Sequence, residues 1–145
     1  MFSAVFWLDG RSEGSLKQSI ALLASRIPEG QIPETSRAYS ISSSGDIDST
    51  VGDVLDWLSR SDNSQWLLVF DNVDREYGGG KTDGDAYDIT RYFPEADHGS
   101  VLITSRLAKL QQLWGGWKLD KVDENQAHAI FEKWYGRAFG AATGT

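Results

Sequence analysis

The residues best placed to do chemistry are Asp71 and the triplet Thr104-Ser105-Arg106. Asp71 closes the apolar run Trp66-Leu67-Leu68-Val69-Phe70 and is followed by Asn72, Val73 and Asp74. A carboxylate delivered at the C-terminal end of a buried strand offers the hard oxygen that Mg²⁺ prefers beside phosphates, held directly or through water. Thr104, Ser105 and Arg106 close a second apolar run, Val101-Leu102-Ile103, one helix further along. An arginine at that strand end, next to Asp71, is a two-pronged cation able to reach a phosphate. Either pattern alone is a common way for an α/β strand to end in a polar turn; the two together are specific.

The other candidates carry less. Gly80-Lys81-Thr82 imitates part of a phosphate loop, but G-x-x-x-x-G-K-[ST] needs glycine where Arg75 stands, and no helix starts at the lysine. Residues 78–85 read instead as a flexible polar loop. His98 falls in a turn and His128 on the polar side of the last helix, so they read as solvated surface histidines and not as a metal pair or dyad. Trp7, Trp66, Trp117 and Trp134 fall on strand or helix core positions, where packing is the expected use; Trp57 and Trp114 are unassigned.

The elements that position these residues alternate in kind. Ala4-Val5-Phe6-Trp7-Leu8 and Trp66-Leu67-Leu68-Val69-Phe70 are short continuous apolar runs, each stopped by an aspartate, as expected of strands buried on both faces. Val101-Leu102-Ile103 is a third strand and Trp117-Lys118-Leu119 a weaker fourth after Gly115-Gly116. Between them lie helical periods: Leu16, Ile20, Leu23 and Ile27 ending at Pro28; Val51, Val54, Leu55 and Leu58; and residues 85–93, with Ala86, Ile89, Tyr92 and Phe93 inward and Pro94 as terminator. Residues 109–114 suggest another helix. Asp123 and Gln126 have capping-box spacing ahead of Ala127, Ile130, Phe131, Trp134 and Tyr135, and Gly136 ends that last helix. Residues 28–48, 77–84 and the tail from 138 read as loops, and no internal repeat is present. Strands alternating with helices predict an α/β fold with a parallel sheet and right-handed crossovers.

Composition narrows the function classes. At 145 residues the chain matches the length of about one domain. Lys and Arg total 14 against 21 Asp and Glu, a net charge of −7 with no basic run, which argues against nucleic acid or an anionic membrane surface as partner. The absence of cysteine excludes disulfides, thiolate zinc sites and cysteine nucleophiles. The longest apolar runs are far short of the roughly 18 residues a spanning helix needs, and the start lacks a basic segment ahead of an apolar one. The expectation is a soluble, cytoplasmic protein.

The Asp71 and Arg106 strands also carry a family resemblance. Leu68-Val69-Phe70-Asp71-Asn72-Val73-Asp74 resembles the Walker B strand, and Gly99-Ser100-Val101-Leu102-Ile103-Thr104-Ser105-Arg106 the sensor strand, of STAND-class P-loop NTPases, particularly NB-ARC and NACHT-like domains of the kind common in fungi. Ala4-Val5-Phe6-Trp7-Leu8-Asp9 is similar to the strand after the phosphate-loop helix, and residues 122–136, with the helix start Glu124-Asn125-Gln126-Ala127, to the segment leading into the helical lid. The resemblance implies a Rossmann-like three-layer sandwich with a mainly parallel sheet, 1–121 forming the α/β core and 122–145 the start of the lid. It also implies a signalling switch that exchanges ADP for ATP with Mg²⁺. Asp71 would serve the metal, with Asp74 a second possible ligand, and Thr104, Ser105 and Arg106 would form the phosphate sensor.

Two departures shape the functional expectation. The phosphate-loop strand and helix would precede Ala4, so the chain reads as a partial nucleotide-binding domain with weak or no nucleotide binding by itself. Asn72 stands where many active relatives carry a second acidic residue, and it cannot act as a general base, which removes support for hydrolysis. In the family order five, one, four, three, two, the strands at Ala4, Trp66 and Val101 remain contiguous, the Trp117 strand is orphaned, one sheet face is uncovered and Val101 to Ile103 become an apolar edge. That edge suggests an alternative, a non-enzymatic module that self-associates or pairs with a full-length paralogue. A third reading, a phosphoacceptor receiver using Asp71, Thr104 and Lys118 or Lys121, needs an acidic pair after the first strand and finds only Asp9.

Overall fold

A computed structural model describes residues 1–39, 46–75, 86–107, 109–110, 116 and 123–135. The elements are β1 (Ala4–Asp9), α1 (Glu13–Leu23), a 3₁₀ turn (Ala24–Arg26), α2 (Glu34–Arg37), α3 (Ile47–Leu58), β2 (Trp66–Asp71), a second 3₁₀ turn (Ile89–Tyr92), β3 (Ser100–Ile103) and α4 (Glu124–Tyr135). The three strands form one parallel sheet in the order β1-β2-β3. Ala4 pairs with Trp66 at one end of the register and Asp9 with Asp71 at the other, while Phe70 pairs with Ile103. The α/β class, the parallel sheet and the contiguity of these strands are as the sequence predicts. The Trp117 strand, the 77–84 loop with Lys81, and Lys118 and Lys121 lie outside the described residues, as does most of the 109–114 helix.

Local chemistry explains each helix. Ser12 caps α1, its hydroxyl accepting the Ser15 N–H at 3.1 Å, and Leu16, Ile20, Ala21 and Leu23 bury one face. The predicted continuation to Ile27 is corrected: the helix tightens into the 3₁₀ turn, and Ile27 is extended (φ −74°, ψ 136°), although buried. Pro28 causes this, because a proline ring disfavours helical backbone in the residue before it. Asp46 caps α3, which buries Thr50, Val51, Val54 and Leu58. The 28–48 loop contains α2, a single turn held by the Glu34–Arg37 pair, by Arg37 Nε–H donated to Ile27 O at 2.9 Å, and by Ser36 Oγ–H donated to Asp53. It has no apolar period to announce it. The predicted 85–93 helix reduces to one 3₁₀ turn, because Asp88 caps at Thr90 and Pro94 stops the chain; Ile89 and Tyr92 are buried as expected. The predicted capping box of α4 is present: Asp123 Oδ1 accepts the Gln126 N–H at 2.8 Å and Gln126 Oε1 accepts the Asp123 N–H at 3.1 Å.

The core lies on one face of the sheet. Leu8, Trp66, Leu68 and Phe70 pack with Leu16, Ile20, Val54 and Leu58 from α1 and α3. Trp66 anchors the far end, donating its Nε1–H to Leu58 O at 2.9 Å and to Asn63 O at 3.0 Å. His98 is half-buried with its ring edge-on to Trp66 at 6.2 Å, so its expected role as a solvated histidine is corrected; His128 is exposed. On the opposite face the two-sided burial expected from the apolar runs fails among the described residues, in keeping with the other expectation that one sheet face is uncovered. Val5 is 55 %, Trp7 64 % and Leu102 51 % exposed, while Val69, between Trp7 and Leu102 in the register, is buried. Trp7 is therefore not a core residue. Continuous apolar runs indicate strands that can be covered on both sides; the described helices α1 and α3 cover one, giving two layers among the described residues instead of three.

Candidate functional site

Because the strands are parallel, the ends of β1, β2 and β3 meet along one rim of the sheet, the place where α/β sheets typically bind ligands. Asp71 ends β2 half-buried, beside Asp9 in the register. The sheet pairing continues past both strands: Thr104 N–H donates to Phe70 O at 2.9 Å and Val73 N–H to Thr104 O at 3.0 Å. These bonds bring the two sequence-predicted clusters together. Thr104 Oγ–H donates to Asp71 Oδ1 and accepts the Asn72 N–H at 3.0 Å, and Asn72 Nδ2–H donates to Asp71 Oδ2 at 3.2 Å. Asn72 occupies the left-handed region at φ 60°, which asparagine tolerates better than most residues.

Among the described residues the Asp71 carboxylate thus carries one neutral donor on each oxygen, which leaves further lone pairs for a cation. Among the described residues no group of three His, Cys, Asp or Glu assembles a complete metal site. Asp71 is the rim residue that could hold a divalent cation, for which its carboxylate supplies the hard oxygen such an ion prefers.

Asp74 faces Arg106. Its Oδ1 accepts the Arg106 backbone N–H at 2.7 Å and its Oδ2 the Nε–H at 2.8 Å. Burial acts to raise Asp74, but the Arg106 N–H and guanidinium outweigh it and hold the carboxyl below the ordinary carboxylate range. The Ser105 hydroxyl donates to Val73 O and accepts the Leu107 N–H at 2.9 Å. Of the expected sensor residues, Arg106 presents its charge outward, while Thr104 and Ser105 are engaged in fixing the rim.

Sequence reasoning missed a second group of rim contacts. Arg11 forks onto Asp9, with Nε–H donating at 2.9 Å and Nη2–H at 2.6 Å, and this bond holds Asp9 below its usual range. Gly10 N–H donates to Asp71 O at 2.7 Å, and Gly10 O accepts the Tyr87 hydroxyl at 2.7 Å. A Cβ at Gly10 would lie 2.6 Å from Val73 and 2.8 Å from Asp71 O, so glycine is required by close approach. Tyr92 donates to Glu13 at the start of α1. The only sequence signal for this group was Gly10 directly after the strand-ending Asp9.

No family model, curated protein or solved structure matches the chain. Among the described residues no helix is long and apolar enough to cross a membrane.

Proposed function

We propose that the chain is part of a nucleotide-binding switch of the STAND type, running from the strand after the phosphate-loop helix to the first helix of the lid. The observation that carries this reading is the pairing of Asp71 with Thr104 and of Asp74 with Arg106 at the C-terminal ends of adjacent parallel strands. Asp71 would hold Mg²⁺, Thr104 and Asn72 would orient its carboxylate, and Arg106 would reach the terminal phosphate of ADP or ATP. Asn72 offers no base, so the site is suited to holding nucleotide and not to hydrolysing it. No G-x-x-x-x-G-K-[ST] occurs among these 145 residues, so the backbone cradle that dominates phosphate affinity must come from elsewhere. The test is the transcript's 5′ end: in-frame coding upstream of Met1 for a strand followed by G-x-x-x-x-G-K-[ST] is expected.

A second reading is favoured by the exposure of Val5, Trp7 and Leu102 on one face and Val101 at the β3 edge. If translation starts at Met1, the chain acts as a non-enzymatic module that associates with a second copy through this surface. Sedimentation velocity would then show a dimer that Leu102→Lys returns to monomer; a wild-type monomer at high concentration would exclude it.

A further inference from the structure

The Asp74–Arg106 pair is asymmetric in a way an ordinary surface ion pair is not. The Asp74 side chain is 20 % exposed and that of Arg106 is 87 % exposed. Exposed pairs are usually weak because two long side chains must be immobilised for one contact. Here the carboxylate is fixed first, because Oδ1 is bound to the Arg106 backbone N–H and the same stretch of chain is tied through Thr104 and Ser105 to Val73, two residues past the end of β2. Only Nε of the guanidinium is then needed to seat on Oδ2. Among the described residues nothing binds Nη1 or Nη2, the two nitrogens best spaced to grip an oxyanion.

We propose that Asp74 is a positioning residue: it clamps Arg106 by backbone and Nε so that the Nη pair stands as a preset two-pronged receptor for phosphate beside Asp71. The inference rests on the phosphate-binding reading above and deepens it. It also divides the labour of the rim. A carboxylate with both oxygens committed to an arginine is a poor cation ligand, so Asp71 serves the metal and Asp74 serves the anion through Arg106.

The test uses the chain labelled with ¹⁵N-arginine and inorganic pyrophosphate as the probe. Before any anion is added, the Arg106 Nε–H should be nearly as rigid as ordered backbone, with an order parameter about 0.85; a value under about 0.6 overturns the clamp. Pyrophosphate should shift the Arg106 signal saturably, and Arg106→Gln should abolish binding. Asp74→Asn separates the possible roles. Removing a negative charge near an anion site would tighten binding by Coulomb attraction alone. Loss of the clamp should instead weaken it, by about tenfold for one charge-assisted hydrogen bond. Unchanged or tighter binding by Asp74→Asn, with Arg106→Gln still defective, overturns the positioning role and leaves the phosphate reading intact. Absence of any pyrophosphate effect on wild-type Arg106 overturns both. Should Asp74→Asn fail to fold, the wild-type order parameter decides the matter by itself.

Discussion

Gly99 shows how much a single residue can decide in this chain. It sits at φ +77° directly under Trp66, and a Cβ there would lie 2.3 Å from the indole. Trp66 cannot retreat, because its Nε1–H is committed to Leu58 O and Asn63 O. Gly99→Ala should therefore cost about 1–3 kcal/mol, from left-handed strain and overpacking together, read as a lower urea midpoint by tryptophan fluorescence. Asp71, Thr104 and Arg106 were legible from sequence because strand ends are marked by the change from apolar to polar residues. The partner of Arg106 was not, since side-chain pairing depends on the turn at Asn72, whose positive φ no pattern announces. Trp7 was misread for a related reason: its residue type fits a core, but burial depends on what covers the face.

Among the elements, the strap of residues 86–93 is the one the sequence described least well and the rim depends on most. Its 3₁₀ turn lacks the length to be stable alone, and it is held by Phe93 edge-on to Phe70 at 5.4 Å and by the hydroxyls of Tyr87 and Tyr92. Burial, with the charges of Asp9 and Glu13 adding to it, pushes Tyr87 up to about 12. Burial and Glu13 push Tyr92 upward as well. The folded state therefore holds these protons more tightly than the unfolded chain. The stability they contribute is complete below about pH 10, the ordinary tyrosine value, and is lost as the pH rises toward the folded values. Absorbance at 295 nm should show two tyrosines ionising only as the circular dichroism of the fold is lost. Tyr87→Phe strands the Gly10 carbonyl and should cost about 1–3 kcal/mol, leaving one late tyrosine. The helices were more legible: apolar periods marked α1 and α3, and capping spacing marked the start of α4. α2 escaped because its four residues, Glu34 to Arg37, include no apolar side chain.

For the whole molecule, the sheet order and its rim join the separate observations into one account. Three parallel strands bring Asp9, Asp71 and Thr104 to one end, and a network of rim hydrogen bonds links Arg106 and Asp74 through Val73, Thr104 and Asp71 to Gly10 and Tyr87. One end is thereby a hydrogen-bonded polar rim, while the outer face keeps Val5, Trp7 and Leu102 exposed on a chain of net charge −7. Nucleotide binding at this rim is read residue by residue in an NMR titration of the ¹⁵N-labelled chain with ADP and Mg²⁺. A nucleotide-binding rim gives saturable shifts confined to the amides of residues 71–74 and 104–106, weaker than micromolar because the phosphate cradle is not among these residues, and lost in Arg106→Gln. No shift at millimolar ligand, or shifts centred away from this rim, would contradict it.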